Sequence, residues 1–325
     1  MTKILRPLAT ALACLLCAAA MPAGANDAYP EKPVHLIVPF PPGGGTDAFA
    51  RILARELSSM WAQPLVVDNR AGAQGNIGTQ VGANAAPDGY TLTFAHQGVF
   101  TINPFLYDKI GFDPLADLVA VSRGTQQPFV LVAHPDVPAT TLAELTALAK
   151  ARPGKLTYAS SSSGPQMAVE MYKMAAGVNL LHVPYKGAGP AVVDLLAGHV
   201  DLMVANPTSV APHVRSGKLR ALVVFGQERV SVLPDAPTAP EAGYPQLGEN
   251  PEWYGITVPA GTPAAVIDRL NRDIAAALSR PQAQKAIRDL GMTPSTSSPE
   301  EFARQIRRDH ETWGRVVKAS GVRAN

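Results

Sequence analysis

The sequence predicts an α/β protein built from two lobes. Three observations carry that reading. Short β-rich runs alternate with helical patterns along almost all of the 325 residues, the alternation expected of sheets covered by helices on both faces. The strand-like runs are apolar at nearly every position, as strands buried on both sides of a parallel or mixed sheet must be. Two stretches, 119–128 and the one following Phe225, interrupt the rhythm and read as crossings between lobes.

The elements follow in order. Residues 34–40 form a buried strand. The helix predicted over 47–61 sets Phe49, Ile52, Leu53, Leu57 and Met60 on one side and Arg51, Arg55 and Glu56 on the other. Strands are expected over 64–68 and 89–94. The middle repeats the theme, with strands over 129–133 and 156–159 and helices over 141–151 and 166–176. A short strand ends at Val183. Helices over 189–198 and 210–216 alternate with strands over 200–204 and 219–225. A last strand over 254–258 precedes helices over 263–279, 281–290 and 299–319. The starts at Thr262-Pro263, Arg280-Pro281 and Ser298-Pro299 each place proline where a helix has unpaired amides anyway. Trp253 and Tyr254 read as core.

The first 25 residues read as a secretory leader. Lys3 and Arg6 form a basic start, 8–20 an apolar run, and Ala23-Gly24-Ala25 a cleavage site after Ala25. The apolar run is shorter than the roughly 20 residues needed to cross a bilayer. Both cysteines, Cys14 and Cys17, lie in this leader, so the expected mature chain has no disulfide, thiolate metal site or cysteine nucleophile. The leader also takes two of the 28 basic residues and none of the 26 acidic ones, leaving 26 of each. Such a balance offers no field for nucleic acid or an anionic membrane. The expected product is periplasmic, monomeric and free of cofactors and metals. Lobe one spans 26–123 with 227–325, and lobe two spans 124–226.

Two loops carry the candidate chemistry. Phe40-Pro41-Pro42-Gly43-Gly44-Gly45-Thr46-Asp47 joins the first strand to the first helix. Its bare glycine amides and the free N–H groups of the helix start make an anion site without lysine. The segment also fits the dinucleotide pattern G-x-G-x-x-A, with Asp68 about twenty residues on. Prolines 39, 41 and 42 and the export leader oppose that alternative. The second loop, Ser160-Ser161-Ser162-Ser163-Gly164, again lies between strand and helix and offers hydroxyls and amides to a carboxylate or phosphate. It is not a G-x-S-x-G nucleophile elbow. His96 and Gln97 follow the third strand at its C-terminal end, where open α/β sheets bind ligands. Gln74-Gly75-Asn76 lies at the same edge. The histidines show no metal-site spacing, and no nucleophile–base constellation marks an enzyme.

Taken together these segments resemble the Bug, or TctC-like, family of solute receptors. The likeness runs through Pro39 to Asp47, Asp68-Asn69-Arg70-Ala71-Gly72-Ala73 with Asn76-Ile77-Gly78, and Ala86-Pro87-Asp88-Gly89-Tyr90. It continues through His182-Val183-Pro184-Tyr185-Lys186-Gly187, Val200-Asp201-Leu202-Met203 with Asn206, and Val258-Pro259-Ala260-Gly261-Thr262-Pro263. The resemblance implies a type II periplasmic-binding fold, with two α/β lobes, two crossings and a ligand cleft between them. It also implies a small carboxylate ligand (a di- or tricarboxylate or an aromatic acid) held by 42–47 and 160–164, with Phe40, Asn76, Tyr185 and Asn206 alongside. The implied partners are the permease subunits of a tripartite tricarboxylate-type transporter; a sensor-kinase ectodomain is the alternative. Relatives usually carry glycine at Gln74, an acid at Ala205 and histidine at Gln166. Loss of an acid at Ala205 favours a ligand without an ammonium group.

Overall fold

The computed structural model describes residues 29–323; the leader expected over 1–25 lies outside the described residues. Two mixed sheets form the framework. The first is built from β1 (Val34–Val38), β2 (Leu65–Asn69), β3 (Thr91–His96), β4 (Leu118–Gln127), β10 (Glu252–Pro259) and β11 (Thr293–Pro294), in the order β11-β4-β10-β3-β1-β2. The second contains β5 (Phe129–Ala133), β6 (Thr157–Ser160), β7 (Leu181–Pro184), β8 (Leu202–Ala205) and β9 (Arg220–Phe225), in the order β7-β6-β8-β5-β9. β1 pairs in parallel with β2 and β3, while β10 lies antiparallel between β3 and β4.

Helices α1 (Gly45–Trp61), α2 (Asn76–Ala83), α9 (Ala264–Ser279), α10 (Pro281–Asp289) and α11 (Pro299–Ser320) belong to the first lobe, with the short α3 (Gln97–Thr101) and α4 (Asn103–Leu106). α5 (Leu142–Ala151), α6 (Ser163–Ala176), α7 (Ala188–Leu196) and α8 (Pro207–Arg215) belong to the second. On α1 the predicted apolar face is buried: Phe49, Leu53 and Leu57 are fully enclosed and pack with Leu36, Phe94, Ile256 and Ile274. Glu56, expected on the polar side with Arg51 and Arg55, is buried as well, because Arg55 and Arg280 pair with its carboxylate. Tyr158, Leu145, Val169 and Tyr172 centre the second lobe's core.

The stretch 119–128, expected as a crossing, is almost wholly strand β4, and the chain passes between sheets at the single residue Pro128. A proline has no N–H for either ladder, so it ends one sheet and frees the next. The second crossing runs from Phe225 to Glu252. The two crossings touch: a Cβ on Gly226 would stand 3.0 Å from Pro128 Cβ. A third link is apolar, where Met167 of α6 packs with Ile102, Leu106 and Trp313 of the first lobe.

α6, α7 and α8 each begin one to three residues before the positions read from sequence. Their first turns hold serine, glycine and proline, which have poor interior propensity and carry no apolar period. Ser163 and Gly164 are therefore helical rather than loop residues.

Candidate functional site

Four strands hand the chain to a helix at the pocket. β1 leads into α1, β6 into α6, β7 into α7 and β8 into α8. The four helix N-termini converge on one pocket of about 90 Å³. Gly44, Gly45 and Thr46 come from the start of α1, Ser161 and Ser162 from α6, Gly187, Ala188 and Gly189 from α7, and Asn206 and Ser209 from α8.

None of the four starts has its amides taken by a capping side chain, although Ser162 and Asn206 hold N-cap positions that their residue types usually serve. Starts that do not line the pocket are mixed: those of α2, α9 and α10 also lack a side-chain cap, while those of α5 and α11 have one. Thr141 accepts from the Glu144 amide at the start of α5, and Ser298 and Glu301 make a reciprocal capping box on α11. Four uncapped starts thus share the cleft, where the partial positive charge of each helix end favours an anion. No lysine or arginine lines this pocket. Larger grooves exist on the surface, one of about 980 Å³ between Arg215, Val232 and Arg288, but the helix start lining it, that of α10, opens with Pro281, which has no N–H to offer.

An aromatic ladder forms the floor. Phe94 meets Tyr254 at 5.2 Å between ring centroids, Tyr254 meets His96 at 5.3 Å, and His96 meets Phe40 at 4.6 Å. Strand alternation explains the set: His96 and Tyr254 are register partners across β3 and β10, and Glu252 shares the face of Tyr254 two residues earlier. Trp253 points to the opposite face, where its indole donates to Asp309 at 2.7 Å.

Beneath the ladder lies Glu252, fully buried. Gln127 donates to its Oε2 at 3.0 Å, and Asn206 donates to the same oxygen at 2.6 Å. His96 Nε2 stands 3.1 Å from Oε1 but off the axis of a hydrogen bond. The other ring nitrogen of His96, Nδ1, accepts from the Gly98 amide, so Nε2 carries the proton facing Glu252. Burial alone would raise the pKa of Glu252; the His96 imidazole and the Asn206 and Gln127 amides outweigh it and hold the carboxyl below its ordinary value. Burial, with Glu252 next to it, pushes the Tyr254 phenol well up.

Of the residues singled out from sequence, Phe40, Pro42, Gly44, Thr46, His96, Ser161, Ser162 and Asn206 line the pocket. The others stand behind it. Gly43, at φ +88°, turns its amide onto Asp47 Oδ2 at 3.0 Å, and Arg51 donates to the same oxygen at 2.9 Å. Burial works against the Asp47 charge, yet the hydrogen bonds from Arg51 and Gly43 leave its pKa below 3.8. Asn76 accepts from Asn103 at 2.6 Å. Gly75, beside it at φ +97°, lies so close that a Cβ would come within 2.7 Å of Val99 and 3.1 Å of the Phe40 ring. Gln97 donates to the Pro251 carbonyl at 3.2 Å. Ser160 bonds His182 at 2.7 Å, and Tyr185 donates to Asp194 at 2.7 Å. Ser163 Oγ is buried without a partner, and Gly164 packs on Phe129 and Glu252. Asp68, the ribose ligand of the dinucleotide alternative, instead pairs with Arg70 at 2.9 Å.

The start of α7, Ser209, Tyr254 and Glu252 belong to the site without having been marked by the sequence pattern. The first had a signal, since Lys186-Gly187-Ala188-Gly189-Pro190 is a third glycine-rich strand-to-helix turn. Glu252 had none, because its three partners come from distant segments.

The profile of the tripartite tricarboxylate transporter family receptor, TctC, matches residues 49–322. The chain belongs to this family. It is 40% identical over 300 residues to the protein BugT of Bordetella pertussis, covering 91% of this chain and 92% of that one. Among solved structures, R. palustris Rpa4515 with adipate is 34% identical with a TM-score of 0.87, covering 91% of this chain and 99% of the other. MatC from Rhodopseudomonas palustris with bound malate is 31% identical with a TM-score of 0.83, covering 89% and 100%. The two-lobe fold that the resemblance implied is the TctC receptor fold. Gln74, where the resemblance implies glycine, has the left-handed backbone that glycine would favour, at φ +51°.

Proposed function

We propose that this chain is a periplasmic receptor that captures a small organic carboxylate between its lobes and delivers it to the permease of a tripartite tricarboxylate-type transporter. The convergence of four uncapped helix starts on one pocket carries the reading. Each helix end contributes roughly 0.3–1 kcal/mol toward an anion, and each charge-assisted hydrogen bond roughly 1.5–3 kcal/mol. A few such contacts suffice for a micromolar complex, about 8 kcal/mol. Adipate in Rpa4515 and malate in MatC fit this chemistry. Closure follows when one anion gains contacts from both lobes that the open form lacks.

The pocket also favours an acid without an ammonium group. Glu252 is enclosed by Gln127, Asn206 and His96, and Asp47 is turned onto Gly43 and Arg51. No free carboxylate is left among the lining residues as a counter-ion. No helix among the described residues is long and apolar enough to cross a membrane, which suits a receptor that moves between ligand and permease.

Calorimetric titration with organic acids, alongside native mass spectrometry of the protein as purified, tests the proposal. Organic acids are expected to bind at micromolar concentration, and Thr46→Ala and Asp47→Ala to weaken them without unfolding. Tight binding of glutamate or aspartate with no response to other acids would overturn it. Unchanged affinity in both variants would remove the first loop from the site.

A further inference from the structure

One group on the pocket wall does not match the rest. The helix starts and hydroxyls are donors, as an anion requires, but Asn206 brings an obligate acceptor. Its orientation is fixed by chemistry rather than by fit alone. Glu252 is ionised and can only accept, so the Asn206 atom 2.6 Å away has to be the amide nitrogen. The side-chain oxygen is then turned to the Tyr254 side of the pocket, where the phenol donates to it over a long 3.4 Å. Both residues line the pocket. Asn206 sits at the N-cap of α8, a position at which asparagine usually accepts from its own helix, yet it makes no such bond. Its carbonyl keeps a lone pair for a ligand.

We infer that Asn206, held by Glu252, presents its carbonyl to the cleft and selects a carboxylate bearing a hydroxyl over the same acid without one. Glu252 is a positioning residue here: it touches no ligand and acts by forbidding the flipped amide. A ligand hydroxyl supplies the missing donor, whereas a plain acid leaves the carbonyl facing methylene groups or water. A second carboxylate of the ligand at that point would meet the oxygen's negative end and be repelled. The inference rests on the carboxylate reading above and adds which acid the site prefers.

The test compares matched pairs by calorimetry at neutral pH: succinate with malate, glutarate with 2-hydroxyglutarate, and benzoate with 4-hydroxybenzoate. The wild-type protein is expected to favour the hydroxylated member of at least one pair about tenfold, the scale of one hydrogen bond. Asn206→Ala and Glu252→Gln should each bring that ratio to within about twofold while the plain acid still binds. A loss of fold alone would shift both members of a pair together. Should Glu252→Gln fail to fold, the ratio in Asn206→Ala decides. Equal affinities within every pair for the wild-type protein would overturn this inference and leave the receptor reading standing, as would a preference that survives Asn206→Ala. No binding of any member would overturn the carboxylate reading, and this inference with it.

Discussion

Six helix starts of this protein form two groups that share residue types but not behaviour. On the outer surface, Thr141 and Ser298 cap α5 and α11 in the ordinary way. At the cleft, Ser162 and Asn206 stand at N-caps of α6 and α8 and leave the amides free. α1 and α7 begin from Gly44 and Gly187, which have no side chain to offer. The difference separates stability from affinity. A capped start stabilises the folded chain at once, whereas an uncapped one holds its donors for an anion that arrives later. Unpaired amides at the cleft are tolerable because they reach water until the ligand replaces it.

The sharpest way to break this comparison is to delete a single cleft amide without disturbing the helix. Gly45→Pro does so. It is the first residue of α1, where proline is well tolerated, and Gly44 already has the extended ψ of 178° that a following proline favours. A Cβ there would stand 3.2 Å from Met292, and that contact falls on the flexible end of the methionine. Loss of one charge-assisted bond, roughly 1.5–3 kcal/mol, should weaken carboxylate binding about tenfold to a hundredfold with little change in melting temperature. Retained affinity, measured by calorimetry, would show that the start of α1 is not an anion site.

The converse experiment is Ser298→Ala at the capping box of α11. The expected cost is about 1 kcal/mol of stability, a fall in Tm of roughly 2–4 °C, with carboxylate affinity unchanged. Ser162→Ala should give the mirror image. It has no cap bond to lose, so Tm should hold while affinity drops by a few-fold. If Ser162→Ala lowered Tm as much as Ser298→Ala, the two groups of helix starts would not be distinct.

The same division explains what could be read from the sequence. The alternation of apolar strands with amphipathic helices is local, so the two-lobe architecture and the face of α1 were legible. The loop 40–47 was legible too, because glycine and proline between a strand and a helix have few other uses. The serine loop is legible but shorter than its residue types suggest: Ser163 and Gly164 look like loop residues by type, and only the first turn of α6 makes them helical. Glu252 was out of reach. It acquires its meaning from Gln127 on β4, His96 at the end of β3 and Asn206 after β8, and no local pattern joins those segments. Tyr254 reads as core from the sequence, and it is buried at 1% exposure. Its hydroxyl nevertheless faces the cleft, a distinction that a hydrophobic pattern cannot make.

The smallest expected effect concerns Asp47, the one acid in the first turn of a cleft-facing helix. Its carboxylate would compete with an incoming anion if it faced the pocket. Instead it is bound to Gly43 and Arg51 and fixes the glycine turn from behind. Its folded-state pKa is depressed below the ordinary 3.8 because the hydrogen bonds outweigh burial. A depressed carboxyl stabilises the fold above its unfolded pKa, and that contribution is lost as pH falls through the folded value. Asp47→Asn should therefore cost a few tenths to about 1 kcal/mol at pH 7. The gap between variant and wild type should begin to close as pH drops below about 4 and vanish at still lower pH. Melting curves of both proteins from pH 7 down to 3 would follow it. A gap that stays constant across that range would mean that Asp47 acts through shape and not through charge.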